Sequence, residues 1–389
     1  MSAALLPAED EARMGRALSL AARGLYTTDP NPRVGCILVR DGQVIGEGWH
    51  ERAGEAHAEA AALRVAGDAA RGATAYVTLE PCSHHGRTPP CADALIAAGI
   101  ARVVCASIDP NPQVAGAGVR RLEAAGIAVS VGARAAEARA LNVGFFSRFE
   151  RGRPWIRLKL AMSLDARTAP AGGGRVWISG EESRADVQRW RARSSAILTG
   201  AGTVRVDDPR LDVRLEYGPW IRQPLRIVLD AHRNCPPDAQ VFRGGAALRF
   251  TADGAPQAES PRVESSRACG AGQLPLEERV PAVGRRLDLA AVVKRLASLE
   301  INELLVECGP TLAAAFLEAC LVDELILYVA PLLLGADAAP LTALQGLRGG
   351  DPAAAAFEIT DVQRLGADVR LILRPRRDTG HPVPALQRR

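Results

Sequence analysis

A histidine and two cysteines placed around short predicted elements limit the fold of this chain more than any other feature. His57 opens a predicted Ala-rich helix, Cys82 follows a predicted strand, and Cys91 opens a second predicted helix. One imidazole and two thiolates form a three-ligand set for Zn²⁺ and leave the fourth tetrahedral position to water, as in catalytic zinc sites. A structural zinc would take a fourth protein ligand, and His84 or His85 keeps that alternative open.

Glu59 lies two residues after the histidine of this set. A carboxylate at that place can take a proton from the activated water and deliver it to a leaving amine. The order H-x-E, then P-C and a further Cys, resembles the signature of zinc-dependent deaminases. We therefore predict a hydrolytic deamination, with His57, Cys82 and Cys91 as ligands of one zinc ion and Glu59 as the catalytic residue.

Alternating helix and strand patterns predict an α/β domain over residues 1–150. Residues 8–23 have helical spacing, and the stretches 34–39 and 44–48 around Asp41-Gly42 are typical of a hairpin with a two-residue turn. Strands alternating with helices of this length predict a mostly parallel, three-layer α/β domain. The remaining patterns of this half predict helices over 57–65 and 92–98 and strands over 75–79 and 101–108.

The pattern stops at a basic, turn-rich joint, Arg151-Gly152-Arg153-Pro154, and then restarts. We predict a second α/β domain over residues 151–375. Residues 251–283, rich in Gly, Pro, Ser and charge, are predicted to be mobile surface, and residues 376–389 a disordered tail. The elements predicted in this half are strands over 155–162, 195–199, 225–229, 303–307 and 323–330 and helices over 183–193 and 288–299.

Composition narrows the classes of function. The 389 residues carry 48 Lys and Arg against 44 Asp and Glu, and a net charge of +4 is too small for a dedicated polyanion binder, so no nucleic-acid partner is expected. No apolar stretch reaches the roughly 18 residues of a membrane span and the start lacks a basic secretory segment, so we expect no membrane partner and a cytoplasmic location. Eight cysteines are too few for a disulfide-stapled secreted scaffold. The oligomeric state stays open, a homo-oligomer included.

Three stretches of the first half carry a closer resemblance. They are Asn31-Pro32-Arg33-Val34-Gly35-Cys36, Thr78-Leu79-Glu80-Pro81-Cys82 and the long insert between Cys82 and Cys91. Over residues of about 10 to 150 they resemble the deaminase half of the bifunctional riboflavin-biosynthesis deaminase/reductase family. The substrate of that family is a diaminopyrimidinone with a phosphoribosylamino group, which loses its ring amine as ammonia. The resemblance implies a cytidine-deaminase-like fold, the zinc and proton-transfer roles given above, and substrate contact by Asn31, with His50 as a weaker candidate.

The second half resembles the reductase half of the same family in the stretches 159–168, 177–179, 207–211 and 306–311. That reductase has a fold similar to dihydrofolate reductase and uses NADPH. The resemblance implies cofactor contacts by Ala161, Thr168, Trp177, Thr203, Asp207, Gly309, Pro310, Thr311, Leu312 and Ala313. It implies substrate contacts by Arg191, Leu211, Arg214 and Glu307. Two positions depart from the family pattern: Arg175 stands where a substrate-contacting Ser is common, and Ala231 where a cofactor-contacting Ser is expected.

The residue chemistry of the second half agrees with a reductase that is not of the Rossmann type. After Gly200 and Gly202 the third Gly of the G-x-G-x-x-G fingerprint is missing. The strand over 303–307 instead runs into Gly309-Pro310 at a helix start, where backbone N–H groups can bind a phosphate. The guanidinium groups of Arg191 and Arg214 can donate paired hydrogen bonds to a sugar phosphate. Hydride delivered to sugar C1 of an opened ribosylamine gives a ribityl chain, and the residues considered as proton donors or orienters are Lys159, Asp207 and Glu307.

Two rival functions remain open from the residues alone. One is a nucleoside or tRNA deaminase with an unrelated second domain, although the modest charge and the lack of a basic stripe with aromatics count against tRNA. The other is a zinc-stabilised interaction protein without catalysis, which would leave Glu59 without a role. The resemblance favours a two-activity enzyme that acts on a small phosphorylated pyrimidine, with deamination first and reduction second.

Overall fold

The computed structural model of the protein describes residues 7–83, 90–172, 176–215, 221–254, 275–344 and 356–376. Backbone contacts divide the chain into two compact units. The first extends to Pro154 and also takes in Leu296–Asn302, and the second begins at Trp155. Predictions that fall on His84, His85, Arg175 and residues 377–389 therefore lie outside the described residues. No helix in the described part of the chain is both long and apolar enough to cross a membrane.

The first unit is built on a five-stranded sheet with the strand order β2-β1-β3-β4-β5. Its helices and strands are α1 Ala8–Ala21, β1 Gly35–Arg40, β2 Gln43–Trp49, α2 Ala58–Ala66, β3 Thr74–Val77, α3 Cys91–Ala97, β4 Arg102–Cys105, α4 Ala117–Ala124, β5 Ala128–Val131, α5 Ala135–Leu141 and α6 Val143–Arg151. Short 3₁₀ helices cover Ala22–Gly24 and Gly67–Ala70.

The alternation of side chains along β1 produces the three layers. Cys36 and Leu38 are buried against α2, α3 and α4 on one face of the sheet. Ile37 and Val39 are buried against α1 and α5 on the other face. Successive strand residues point to opposite faces, so a run of apolar residues in this strand serves two cores.

Close packing explains the alanine-rich sequence of α2. A Cβ on Gly48 in β2 would overlap the carbonyl oxygen of Ala58. Small residues on β2 and on α2 therefore let the helix pack directly against the strand. This close packing fixes the position of His57 and Glu59, at the helix start, relative to the sheet.

The predicted hairpin is confirmed, but the sheet is not mostly parallel. β1 pairs antiparallel with both β2 and β3, whereas β3–β4 and β4–β5 are parallel. Asp41 and Gly42 both have positive φ, as a two-residue turn that matches strand twist requires. The hairpin is the physical reason for the mixed sheet, because a tight turn reverses the chain and only a crossover helix can restore a parallel direction.

The second unit contains a nine-stranded sheet with the order β11-β10-β9-β8-β14-β6-β15-β18-β17. The helices that follow Pro154 are α7 Glu181–Arg193, α8 Ala201–Asp207, α9 Leu289–Ser298 and α10 Pro310–Glu318, with a 3₁₀ turn at Gln240–Phe242. The strands are β6 Trp155–Ser163, β7 Arg167–Ala169, β8 Ala196–Gly200, β9 Leu225–Leu229, β10 Ala247–Ala252, β11 Leu276–Val280, β12 Ala282–Val283, β13 Arg286–Leu287, β14 Glu303–Glu307, β15 Glu324–Ala330, β16 Ala339–Pro340, β17 Phe357–Leu365 and β18 Asp368–Pro375.

Parallel pairing joins the seven strands from β11 to β15, and an antiparallel hairpin of β17 and β18 completes the sheet. The prediction of mobile surface over residues 251–283 is wrong for the part that the structure describes at its ends. Thr251 and Ala252 end β10, and β11 pairs with β10 in parallel register. The sequence of β11, Leu-Glu-Glu-Arg-Val, contains too few apolar residues to predict a strand. Among the described residues this strand pairs with β10 at the edge of the sheet, where few apolar residues are needed.

A buried ion-pair network crosses the centre of the second sheet. The Arg157 side chain on β6 donates to Glu303 on β14 and, over 2.7 Å, to Glu324 on β15. Arg193 also donates to Glu303 over 2.8 Å, and Arg374 donates to Glu324 over 3.1 Å. Arg157 is 2% exposed and Glu303 1% exposed, so each charge depends on its partners for compensation.

We expect Arg157→Met to lower the free energy of unfolding of the second unit by about 3–5 kcal/mol, because it leaves two buried carboxylates short of a partner. Urea unfolding followed by tryptophan fluorescence measures the change. Arg243→Met is the matched control, since that side chain is 64% exposed in its pair with Asp238 and such pairs contribute less than about 1 kcal/mol. Equal unfolding midpoints for the two variants would contradict the role of the network.

Candidate active sites

The structure brings the three predicted zinc ligands together. His57 is the residue before the first turn of α2, Cys91 is the first residue of α3, and Cys82 follows β3. The His57 Nδ1 atom lies 3.3 Å from Cys91 Sγ and 3.6 Å from Cys82 Sγ. Tetrahedral zinc with Zn–N of about 2.0 Å and Zn–S of about 2.3 Å would separate such ligands by about 3.5 Å. The residues therefore fit a zinc ion.

The electrostatics of the cluster favour thiolate. The pKa of Cys82 is lowered to about 4, chiefly by a hydrogen bond from the Cys91 thiol and further by His57. The pKa of Cys91 is raised because its proton is held in that same bond and its side chain is buried. The backbone N–H of Cys91 also donates to Cys82 Sγ over 3.3 Å, which places a helix N-terminus against the thiolate.

Glu59 lies in the first turn of α2 and is 3% exposed. Burial raises the pKa of this carboxyl, and the positive imidazole of His57 only partly opposes the shift. A carboxyl beside a metal cluster with a raised pKa can hold a proton between two transfer steps.

Asn31 and His50 form one hydrogen-bonded pair beside this cluster. The Asn31 amide Nδ2 lies 3.1 Å from His50 Nε2, and His50 Nδ1 lies 3.0 Å from the carbonyl oxygen of Ala56. A carbonyl can only accept, so Nδ1 carries the imidazole proton and Nε2 accepts from Asn31. The His50 and His57 ring centroids are 5.4 Å apart.

In the second unit, two turns meet at the carboxyl ends of neighbouring parallel strands. β8 and β14 are paired in parallel, α8 begins after Gly200, and α10 begins after Gly309 with Pro310 in its first turn. The backbone N–H of Gly309 donates to Thr203 Oγ1 over 3.2 Å and joins the turns. A Cβ on Gly309 would meet only that oxygen, at 3.8 Å, so the surface of the turn is open. This arrangement fits the phosphates of a dinucleotide.

Lys159, Glu307 and Arg191 form a charged group beside these turns. Lys159 on β6 is the register partner of Glu307 on β14. Arg191 from α7 donates to both oxygens of Glu307, over 2.6 and 2.9 Å, and to the Asp212 carbonyl over 3.1 Å. Burial lowers the pKa of Lys159 despite the attraction of Glu307. Burial also opposes ionisation of Glu307, but Arg191 outweighs it and lowers the pKa of that carboxyl.

The ion pair between Arg191 and Glu307 differs from the prediction that each residue contacts the substrate independently. Two residues expected to reach the substrate separately are bound to each other, so a phosphate would share the Arg191 guanidinium with a carboxylate. Arg214 is exposed, and its backbone N–H donates to Gln188 Oε1 over 2.9 Å. Leu211 is 3% exposed and has a positive φ of 51°.

The other residues predicted at the cofactor differ widely in exposure. Trp177 is 60% exposed, with the Arg184 guanidinium 5.2 Å from its ring centroid. Thr168 is half-buried and donates to the Pro340 carbonyl over 3.4 Å, and Asp207 ends α8. Ala313 is fully buried and its N–H donates to the Gly309 carbonyl. The remaining members, Ala161, Pro310 and Leu312, are half-buried, and Thr311 is exposed.

Sequence reasoning did not single out two acidic residues at these sites. Glu80 precedes Pro81-Cys82 and is 3% exposed, and its carboxylate accepts four backbone N–H groups. Asp165 follows β6 and accepts from Ser163 Oγ and from two backbone N–H groups at Leu334 and Gly335. Their position in the sequence could have drawn attention to them, because Glu80 and Asp165 each lie within a stretch that carries the family resemblance.

Comparison with known proteins decides between the rival functions. The model of the cytidine and deoxycytidylate deaminase zinc-binding region matches residues 7–107, and the model of the RibD C-terminal domain matches residues 154–371. Riboflavin biosynthesis protein RibD of Escherichia coli (strain K12) is 48% identical over 375 residues, which cover 94% of this chain and 99% of that protein. The chain belongs to the RibD family.

Two solved structures are similar to this chain over most of its length. Acinetobacter baumannii RibD (form 1) has a TM-score of 0.86 and 41% identity, with 95% of this chain and 99% of that chain covered. A deaminase/reductase from Thermotoga maritima has a TM-score of 0.80 and 32% identity, with 94% and 98% covered.

Membership of the RibD family confirms the predicted fold class and the two predicted activities. The chain is a bifunctional enzyme of riboflavin biosynthesis, with a zinc-dependent deaminase and an NADPH-dependent reductase, and it acts on a small molecule. The alternative of a deaminase joined to an unrelated domain is excluded, because the second half itself matches the RibD C-terminal domain.

Proposed function

We propose that residues 1–150 deaminate 2,5-diamino-6-(5-phosphoribosylamino)pyrimidin-4(3H)-one and that residues 151–375 reduce the ribosyl group of the resulting uracil to ribityl. The observation that carries this proposal is the fit of His57, Cys82 and Cys91 to zinc, with buried Glu59 beside them. The Thermotoga maritima relative is described as a diaminohydroxyphosphoribosylaminopyrimidine deaminase and 5-amino-6-(5-phosphoribosylamino)uracil reductase, which agrees with this pair of reactions.

In the deaminase step, His57, Cys82 and Cys91 hold zinc. The ion, when bound, lowers the pKa of a water and so supplies a nucleophile for the amine-bearing ring carbon. Glu59 takes the proton that this water loses and passes it to the neighbouring ring nitrogen, and it then carries the second proton of the water to the amine, which departs as ammonia and leaves a carbonyl oxygen on the ring carbon. Its carboxyl is buried beside the zinc ligands, a position that suits both halves of this transfer. Asn31, oriented by His50, binds the polar edge of the pyrimidine.

In the reductase step, NADPH supplies a hydride to C1 of the opened ribosylamine. The turns at Thr203 and Gly309 hold the cofactor phosphates through backbone N–H groups. We assign further cofactor contacts to the predicted set, which comprises Ala161, Thr168, Trp177, Asp207 and 310–313.

Lys159 is the group we assign to deliver the proton that accompanies the hydride. Burial lowers the pKa of its ammonium and so makes it a stronger acid. Glu307, held by Arg191, orients the lysine and the substrate, and Asp207 lies at the cofactor as a second polar group. Arg214 and Leu211 complete the substrate contacts, with the exposed Arg214 on the phosphate.

We infer that the chain forms a homo-oligomer through the edge of its second sheet. β17 pairs with β18 on one side, and its other edge has no strand partner among the residues that the structure describes. Ile359 and Val362 on this strand are 54% and 61% exposed. A nine-residue edge strand with exposed apolar side chains favours pairing with a second copy of the chain, and sedimentation equilibrium would detect the mass of such an oligomer.

We also infer a reducing compartment such as the cytoplasm. The cysteines that the structure describes form no disulfide, and three of them, Cys36, Cys105 and Cys235, are buried in the protein core. Reduced thiols and thiolate zinc ligands are typical of proteins that stay in that compartment.

We expect Glu59→Gln to keep zinc and lose ammonia release by about 10²- to 10⁴-fold, because the ligands remain while the proton carrier is gone. Cys91→Ser is the comparison variant and should lose both the metal and the activity. Zinc is measured by atomic emission and ammonia by a coupled assay, while NADPH oxidation with deaminated substrate should persist in both variants. Near wild-type deamination by Glu59→Gln would remove this residue from the mechanism.

Two substitutions should separate cofactor from substrate in the reductase. Gly309→Val places a branched side chain over the open turn and should weaken NADPH binding about 10-fold or more, with deamination intact. Arg191→Ala should raise the reductase KM and lower kcat, because Glu307 loses its partner, while NADPH affinity stays unchanged. Fluorescence titration with NADPH and a steady-state assay measure these effects. Unchanged NADPH affinity in Gly309→Val would exclude this turn from the cofactor site.

A further inference from the structure

Glu80 occupies an unusual position behind the zinc cluster. It is 3% exposed and lies two residues before Cys82. Its oxygen Oε2 accepts the backbone N–H groups of Asp109 and Gly116, over 3.1 and 2.9 Å. Its Oε1 accepts those of Gly118 and Val119, over 2.9 and 3.1 Å. Four backbone donors therefore converge on one buried carboxylate.

These donors belong to the segment that leads into α4 and to the first turn of that helix. The first backbone N–H groups of a helix have no partner within the helix, and a negative charge at that end is favourable. Here the capping carboxylate comes from the segment that follows β3. The interaction therefore fixes the segment 109–119 to the segment that leads from β3 to Cys82.

A close backbone contact of the same α4 segment also restrains Pro81. A Cβ on Gly118 would overlap the carbonyl oxygen of Pro81, the residue between Glu80 and Cys82. The Glu80 N–H donates to the Ser107 carbonyl over 2.9 Å, and the Cys82 carbonyl accepts from Ala92 over 3.1 Å. The three residues before and at the metal ligand thus have little freedom to shift.

We propose that Glu80 is a positioning residue for the deaminase step, which holds the Cys82 thiolate at its distance from His57 and Cys91 by binding the start of α4. The proposal rests on the zinc ligands assigned above. Glu80 reaches the metal only through the backbone of Pro81 and Cys82. Partners behind metal ligands typically contribute about 10- to 100-fold to metal affinity or activity.

Glu80→Gln is the informative substitution. A carboxamide has the shape of the carboxylate, but its NH₂ group would face two backbone N–H donors in place of an acceptor. Gly118→Ala keeps the carboxylate but disturbs the same contact from the α4 side, because its Cβ would overlap the Pro81 carbonyl oxygen and lie 3.2 Å from Glu80 Oε1. Glu123→Gln is the matched control, because Glu123 lies on α4 and is exposed.

The full-length enzyme should be loaded with Co²⁺, whose absorption bands report the geometry of thiolate ligands, and in parallel with zinc. We expect Glu80→Gln and Gly118→Ala to shift the cobalt bands, to release zinc to a chelator about 10- to 100-fold faster, and to lower deaminase kcat by about 10- to 100-fold. Reductase kcat and the circular dichroism at the assay temperature should stay at wild-type values. Glu123→Gln should match the wild type throughout.

Wild-type cobalt spectra and zinc release rates in Glu80→Gln would overturn the proposal. So would a loss of activity that is matched by loss of circular dichroism in Glu80→Gln while Gly118→Ala remains unaffected, since Glu80 would then act only on folding. Failure of the zinc assignment itself is recognised separately, because Cys91→Ser would then retain its metal.

Discussion

Buried charge that must find fixed partners is the constraint on which both units of this protein depend. Glu80 and Arg157 are buried and Glu307 is half-buried, and each is compensated by donors or charges from other elements. An uncompensated charge at such a position costs several kcal/mol, so the elements that supply the partners must assemble in one register. The same interactions that stabilise the sheets therefore also position the ends of the strands that carry the chemistry.

In both units the candidate active-site residues lie in segments that follow the ends of strands. In the first, the end of β3 leads to Cys82, and the starts of α2 and α3 supply His57 and Cys91. In the second, the ends of β8 and β14 lead to the two joined turns. Helix starts carry unpaired N–H groups, which stabilise a thiolate in one unit and can receive phosphate in the other. In the function proposed above, one feature of backbone geometry serves two different reactions.

Glu59 and Glu307 show how the surroundings of a carboxyl group can shift its pKa in opposite directions. Burial is the largest effect at Glu59 and raises the pKa of its carboxyl. Burial is also the largest single effect at Glu307, but Arg191, Lys159 and Arg214 together outweigh it and lower the pKa of that carboxyl. The difference arises from the cationic side chains that surround Glu307.

The sequence by itself was enough to propose the zinc ligands and Glu59 and to predict two α/β halves and most element positions, because these depend on local spacing, turn residues and apolar periodicity. It also carried the resemblance from which the cofactors followed. Tertiary structure alone decided the mixed direction of the first sheet, the edge strand at Leu276–Val280 and the binding of Arg191 to Glu307. It also decided which backbone N–H groups bind the Glu80 carboxylate, because these donors lie about 30 to 40 residues away along the chain. Pairing between distant segments depends on which strands become neighbours, and no local pattern encodes that choice.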